Sequence, residues 1–307
     1  MINCASIMKK TIYSLLLVVV AMFVCAQPAQ AKKDMCVQLY SLRTEIGNPE
    51  LYAKNHVEVF KALAKMGYTS VEAANYDAGG HKFYGVSPQQ FKSDVEAAGL
   101  KVLSSHATRG LSDEELASGN LTEALKWWDG CIADHKAAGM KYIVTPGFGT
   151  PKNLKDGKVI CEYQNAIGKK CREAGLKYGY HTHSHEYKKV DGQVWIDYMM
   201  KNIEPENMFW QMDVYWCMMA QQSPVAWFKK YPGRCRMLHI KDQYEIGQSG
   251  MVGFDAIFNN AAVAGLENYV VELEEFGAGK GWYQAMNECS DYLLKAKFVK
   301  SSYDKKK

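Results

Sequence analysis

Five of the chain's eight histidines stand near the ends of β-rich runs, and carboxylates stand near the ends of others. His106 closes KVLSSH, and His181, His183 and His185 lie in YHTHSHEY, with Glu186 next in line. His239 lies in LHIKD, ahead of Lys241 and Asp242. Glu72 sits in SVEAA, Asp213 in MDVYW, and Glu272 and Glu274 in VVELEE. Imidazole with carboxylate and no thiolate is a donor set for one divalent ion such as Mn²⁺, Zn²⁺, Co²⁺ or Mg²⁺. The same groups also carry general acid–base chemistry. A single histidine at a strand end is usually a hydrogen-bonded structural residue. The weight here falls on density, with Asp, His, Glu and a His/Glu cluster on four consecutive strands. Side chains two apart on a strand share a face. His181 therefore points with His183, His239 with Lys241, and Glu272 with Glu274. In each pair one member can hold a metal while the other touches substrate.

What must position these groups is a repeated phrase: a helix ending in Gly, a linking residue or two, then a β-rich run. It appears as AKMG-YTSVEAA (Gly67), EAAG-LKVLSSHA (Gly99), KAAG-MKYIVTPG (Gly139), REAG-LKYGYHTH (Gly175), KYPG-RCRMLHIKD (Gly233) and AVAG-LENYVVELE (Gly265). Gly at these points suits a helix C-cap with positive φ. Eight strands are expected, beginning near Cys36, Ser70, Lys101, Tyr142, Lys177, Met208, Arg236 and Tyr269. Helical patterns lie between them, and in the first of these Val57, Phe60, Leu63 and Ala64 recur at the spacing of a buried stripe. Eight alternations predict an α/β fold, a single (β/α)8 TIM barrel whose active site lies at the C-terminal ends of the strands. No Gly-rich phosphate loop follows any strand, which weighs against an open doubly wound sheet.

Residues 1–31 read as a secretory signal. Lys9 and Lys10 precede an apolar run from Thr11 to Cys25, and an Ala-x-Ala end closes at Ala31. The run is short for a spanning helix, so no stable membrane association is expected after cleavage, and a lipoprotein at Cys25 fits less well. Residues 32–307 form one domain, with no Pro- or Ser-rich linker. The expected location is outside the cytoplasm, in the periplasm. Removing the signal's two lysines takes the net charge from +4 to +2, and no basic stripe supports nucleic-acid binding. Seven cysteines remain in the mature part, an odd number with no CxxC pair, which argues against a disulfide framework and a cysteine zinc site and leaves room for one incidental disulfide in an oxidising compartment. Met199, Met200, Met218 and Met219 read as core filler. Homo-oligomerisation is left open.

At YHTHSHEY, MDVYW, LHIKD and VVELEEF the chain resembles the sugar isomerase/epimerase superfamily of xylose-isomerase-like TIM barrels, which also contains endonuclease IV. The resemblance covers Cys36 to Phe298. It implies one divalent metal held after strand 5, by Asp on strand 6, His on strand 7 and Glu on strand 8. Asp213, His239 and Glu272 match directly. Strand 5 departs from the commoner pattern, because His181 stands where many members have Glu. The fourth ligand is left between Glu186, His181 and His183. Where many epimerases carry a His soon after the strand-6 Asp, this chain has Trp216, which suits an apolar wall or a sugar-stacking surface. The surplus ligands of endonuclease IV are missing, so DNA repair is not expected.

The resemblance further implies a Lewis-acid metal and removal of a proton α to a carbonyl, giving an enediolate. The candidate bases are Glu272, Glu186, His183 and His106, with Lys241 stabilising the charge. Substrate contacts are expected from Tyr40, Glu72, Trp216 and Glu274. Tyr215 and Trp282 are further stacking candidates, whereas Trp127 and Trp128 lie within a helical pattern and read as core. Export and the missing phosphate loop point to an unphosphorylated sugar, keto-sugar or glycoside. A lyase or dehydratase on a 3-keto-glycoside uses the same proton abstraction, and a non-catalytic sugar-binding barrel is the alternative of another class. An aldolase using Lys241 as a Schiff base fits poorly beside Asp242.

Overall fold

The computed structural model describes residues 32–303. The expected signal at 1–31 and the lysines at 305–307 lie outside the described residues. Among the described residues eight strands form the barrel: β1 Cys36–Gln38, β2 Ser70–Ala73, β3 Lys101–His106, β4 Tyr142–Thr145, β5 Lys177–Thr182, β6 Phe209–Asp213, β7 Met237–Ile240 and β8 Asn268–Val271. Each pairs in parallel with its neighbours in sequence, and β1 pairs with β8, Cys36 opposite Val270, so the sheet closes into a barrel. Every expected strand start falls within one residue of an observed one. Two small hairpins were not expected: Tyr76–Asp77 with Lys82–Phe83 after β2, and Lys189–Val190 with Gln193–Val194 after β5.

Helices follow the strands, and short polar side chains start several of them. Asn48, Ser87, Asn153 and Ser223 each accept a hydrogen bond from the backbone N–H three residues on, which satisfies an otherwise unpaired donor. The six glycines of the repeated phrase all have positive φ. One expectation is corrected. In the helix Pro49–Met66 the buried stripe is Tyr52, Val59, Phe60, Leu63 and Met66, and Val57 is 49% exposed. The stripe is centred between Val59 and Leu63, so at about 100° per residue Val57 falls beyond its edge. No helix among the described residues is long and apolar enough to cross a membrane. The seven cysteines among the described residues are all free and buried.

Alternation along the strands divides the barrel interior into layers. Cys36, Tyr142, Val144, Phe209, Met237 and Val270 form an apolar cluster. Two residues further toward the strand C-termini the same face carries Gln38, Gln211, His239 and Glu272. Gly179 sits opposite Phe209 in the β5–β6 register, and a Cβ there would stand 2.4 Å from the phenyl ring. The bare glycine makes room for that ring, which closes the barrel beneath the polar layer. A register shift between Val71 and Glu72 in the β2–β3 pair adds an irregularity beside that layer.

Candidate active site

The polar layer is organised around Glu72. Its Oε1 accepts from Gln38 Nε2 at 2.9 Å and lies 2.7 Å from His239 Nε2 and 3.1 Å from His106 Nε2. Its Oε2 accepts from Ser104 Oγ at 2.6 Å and Gln211 Nε2 at 2.9 Å. Burial alone would raise the pKa of this fully enclosed carboxyl. The His106 and His239 imidazoles outweigh burial and hold it well below the usual carboxylate range. Both oxygens are engaged, so Glu72 stands as a brace beneath the mouth, not as a free group facing a substrate. Gln211 extends the floor, its Oε1 lying 3.0 Å from His106 Nε2 and 3.0 Å from His181 Nδ1. Burial, then the neighbouring His239 and His106 rings, push His181 well below the ordinary imidazole value.

Above this floor Asp213, His239 and Glu272 converge, with one ligand atom from each within 4.8 Å of the others. The register brings them together: Asp213 lies opposite His239, His239 lies opposite Val270, and Glu272 follows β8 on the face of Val270. His239 Nδ1 is 3.2 Å from Glu272 Oε2. Burial would lower the His239 pKa, but the flanking Glu272 and Glu72 carboxylates raise it to about 10. The Glu272 carboxyl, which burial alone would raise, is held down to about 2 by His239 and Lys241. Asp213 caps the helix Val214–Met219, its Oδ1 accepting from Trp216 N at 2.9 Å. Its Oδ2 is buried with no hydrogen-bond partner, and burial pushes this carboxyl up to about 7.

Lys241 closes the wall beside Glu272. Its Nζ is 2.5 Å from Glu274 Oε1, 3.7 Å from Glu272 Oε2 and 5.0 Å from the centre of the Trp216 ring. Burial would discharge the amine, but Glu272, Asp213 and Glu274 outweigh it and raise its pKa. Trp216 is half-buried and 6.1 Å from the His183 ring. Tyr40 lies at the rim, 45% exposed, with the Arg43 guanidinium 4.6 Å from its ring centre. Trp128 is fully buried and donates to the Tyr163 hydroxyl at 2.7 Å, while Trp127 and Trp282 pack partly buried against the core.

Past β5 the chain enters a tight turn, His185–Tyr187. Glu186 is fully buried there, its Oε2 accepting from His183 N at 2.8 Å. Its Oε1 lies 3.2 Å from the Tyr180 hydroxyl and 3.0 Å from His185 Nε2. Of the three strand-5 candidates, Glu186 and His183 thus gather with His185 in a second donor group, and His181 with His106 and His239 in a third. Pro146, Gly147, Gly149, His183, His185 and Trp216 line a cavity of about 400 Å³ beside the turn. Gln211 and Ser104 were missed in the sequence. The alternation Phe209, Gln211, Asp213 places the amide on the face of the carboxylate and was the signal available for it.

This is an α/β barrel with a polar, carboxylate- and histidine-rich mouth. The chain belongs to the xylose isomerase-like TIM barrel family, whose profile matches residues 60–293. A solved sugar phosphate isomerase/epimerase from Parabacteroides distasonis is 33% identical, covering 90% of this chain and 98% of its own, with a TM-score of 0.81. A second such structure from the same organism is 32% identical over 87% of this chain and all of its own, with a TM-score of 0.79. The IolI protein, solved with a binding zinc atom, shares the fold at 16% identity and a TM-score of 0.65, covering 86% of this chain and 99% of its own. No curated protein matches the chain.

Proposed function

We propose that this protein is a divalent-metal-dependent sugar isomerase/epimerase acting through an enediolate on an unphosphorylated sugar, keto-sugar or glycoside outside the cytoplasm. The observation that carries this reading is the buried Oδ2 of Asp213, unpaired at the centre of a two-carboxylate, one-imidazole cluster. An orphaned buried carboxylate oxygen is costly unless something positive meets it. A divalent ion fits that need. His239 is set up as its ligand, because Nε2 faces Glu72 and leaves Nδ1 toward Glu272 and the cluster. A carboxylate behind a ligating histidine fixes its tautomer and ring orientation.

Asp213, His239 and Glu272 would hold the ion, which supplies Lewis-acid polarisation of a substrate oxygen. The chain's own groups do the rest. Glu272, kept ionised by His239 and Lys241, takes the proton α to the carbonyl. Lys241 stabilises negative charge developing on the substrate, and its carboxylate neighbours keep it protonated for that task. Return of the proton to the adjacent carbon gives isomerisation, and return to the opposite face gives epimerisation. Trp216 offers an apolar wall to a sugar ring. Glu186 and His106, expected as alternative bases, are turned toward Tyr180 and His185 and toward Glu72 and Gln211. Relatives that are sugar phosphate isomerase/epimerases by name support the reaction class. The pattern at residues 1–31 supports export to the periplasm.

The test is elemental analysis of the purified protein beside an Asp213→Ala, His239→Ala double variant, followed by sugars and keto-glycosides in deuterated water. The reading expects a bound divalent ion lost in the double variant, and metal-dependent incorporation of deuterium next to the carbonyl. Failure to bind Mn²⁺, Co²⁺ or Zn²⁺ after reconstitution would overturn it.

A further inference from the structure

We infer that His183, His185 and Glu186 form a second divalent-cation site, separate from the Asp213–His239–Glu272 cluster. Family resemblance alone would recruit one strand-5 residue to complete the first site. The geometry gathers three potential ligands into a group of their own. Their donor atoms lie within 4.8 Å of one another, His183 just ahead of the turn that carries His185 and Glu186. The His183 Nδ1 atom is buried without a hydrogen-bond partner, and the buried His185 Nε2 has the Glu186 carboxylate beside it. Glu186 is aimed in advance, because the His183 N–H holds one oxygen and the Tyr180 hydroxyl lies against the other.

The spacing suits a metal. His185 Nε2 and Glu186 Oε1 are 3.0 Å apart. Two ligands at zinc bond lengths subtend about 3.4 Å across a tetrahedral site. The parallel rings of His183 and His185, 15° between planes and 5.7 Å between centroids, leave room for an ion to bridge them after small rotations. Two imidazoles and one carboxylate carry a single negative charge, and this set binds Zn²⁺ or Co²⁺ while leaving a coordination position free. His183 and His185 line the cavity of about 400 Å³ shared with Trp216 and Gly147, so an ion held by them would be within reach of a ligand entering it. Gly147 adjoins Glu186 across this cavity: a Cβ there would stand 3.9 Å from Glu186 Oε1, an ordinary contact distance.

The experiment is titration of the chelator-treated full-length protein with Zn²⁺, and separately with Co²⁺ followed by its visible d–d absorption. The variants are His185→Ala, Glu186→Gln and Asp213→Ala/Glu272→Ala, each checked for folding by circular dichroism. The inference expects two equivalents in the wild type, one in His185→Ala, one in Glu186→Gln, and one in the double variant. Glu186→Gln keeps the side chain's shape, so it retains the comparison if His185→Ala fails to fold. One equivalent that survives His185→Ala and is lost in the double variant would overturn the second site and leave the proposed function standing. One equivalent lost in both single variants but kept in the double variant would sustain this site and remove the first. One equivalent lost in every variant would show a single shared ion, and no binding at all would remove both sites; either result overturns the inference.

Discussion

The Nε2 of His239 lies 2.7 Å from Oε1 of Glu72, two residues on β7 and β2 that meet across the barrel interior. The contact ties the imidazole at the mouth to a carboxylate already gripped by Gln38, Ser104 and Gln211. Glu72→Gln is therefore expected to weaken metal binding by about 10–100-fold, the usual effect of removing the carboxylate behind a ligating histidine. Glu72→Ala is expected to cost about 3–5 kcal/mol of stability, because several buried donors lose their acceptor together. Metal dissociation constants and urea midpoints measure the two effects, and unchanged metal affinity in Glu72→Gln would count against the brace.

Lys241 sits between Glu272 and Glu274 and over Trp216. If it stabilises developing negative charge, Lys241→Met lowers turnover of a responsive sugar by about 10²–10³-fold. Metal content stays at the wild-type level. Lys241→Arg restores little, because a planar fork does not replace a compact ammonium in this pocket. Equal loss of metal and turnover would assign Lys241 to holding the cluster together instead.

His135 gives a pH prediction away from the site. It is fully buried between Tyr76 and Phe83, with Nδ1 2.6 Å from the Cys131 carbonyl oxygen. Burial lowers its pKa from 6.5 to about 4. The folded state therefore keeps the ring neutral where the unfolded chain takes a proton. The stability is fully present above pH 6.5 and is lost as pH falls from there toward 4, by about 3 kcal/mol in total. Urea unfolding of His135→Leu across that range should show a flatter dependence than the wild type, and parallel curves would refute the assignment.

Two glycines separate crowding from backbone strain. In Gly168→Ala the new Cβ would stand 1.8 Å from the Asn207 carbonyl oxygen, so the backbone must shift. A loss of about 3 kcal/mol is expected. Gly99 has φ +81° and nothing within 4 Å of an added Cβ. Gly99→Ala is expected to cost only the left-handed backbone penalty, about 1 kcal/mol. Chemical denaturation of both variants tests the ordering.

The barrel was legible because its signals are local and repeated. A glycine that ends a helix and a short Val/Ile-rich run that follows it are set by backbone conformation and burial, both visible in a few residues. The mouth was legible wherever a titratable group stood at a strand end: Asp213, His239, Lys241 and Glu272 come together through strand register. What could not be read was which groups already satisfy one another. Glu72 looked like a substrate contact, yet its hydrogen bonds come from four strands far apart in sequence. Gln211 joins His106, His181 and Glu72, and an amide gives no charge signal to draw attention. Val57 was misplaced because two adjacent helical stripes fit the same spacing, and only packing against the barrel chooses between them.

The seven free cysteines among the described residues carry a consequence for following this molecule in time. Burial pushes Cys161, Cys171, Cys217 and Cys289 up to about 12, so in the folded protein these thiols are both shielded and protonated. All four lie in helices, Cys161 and Cys171 in Leu154–Glu173, Cys217 in Val214–Met219 and Cys289 in Trp282–Lys295, so together they report three parts of the shell. A thiol-reactive reagent then acts as a clock. The order in which cysteines are labelled gives the order in which the barrel comes apart, without introducing any probe.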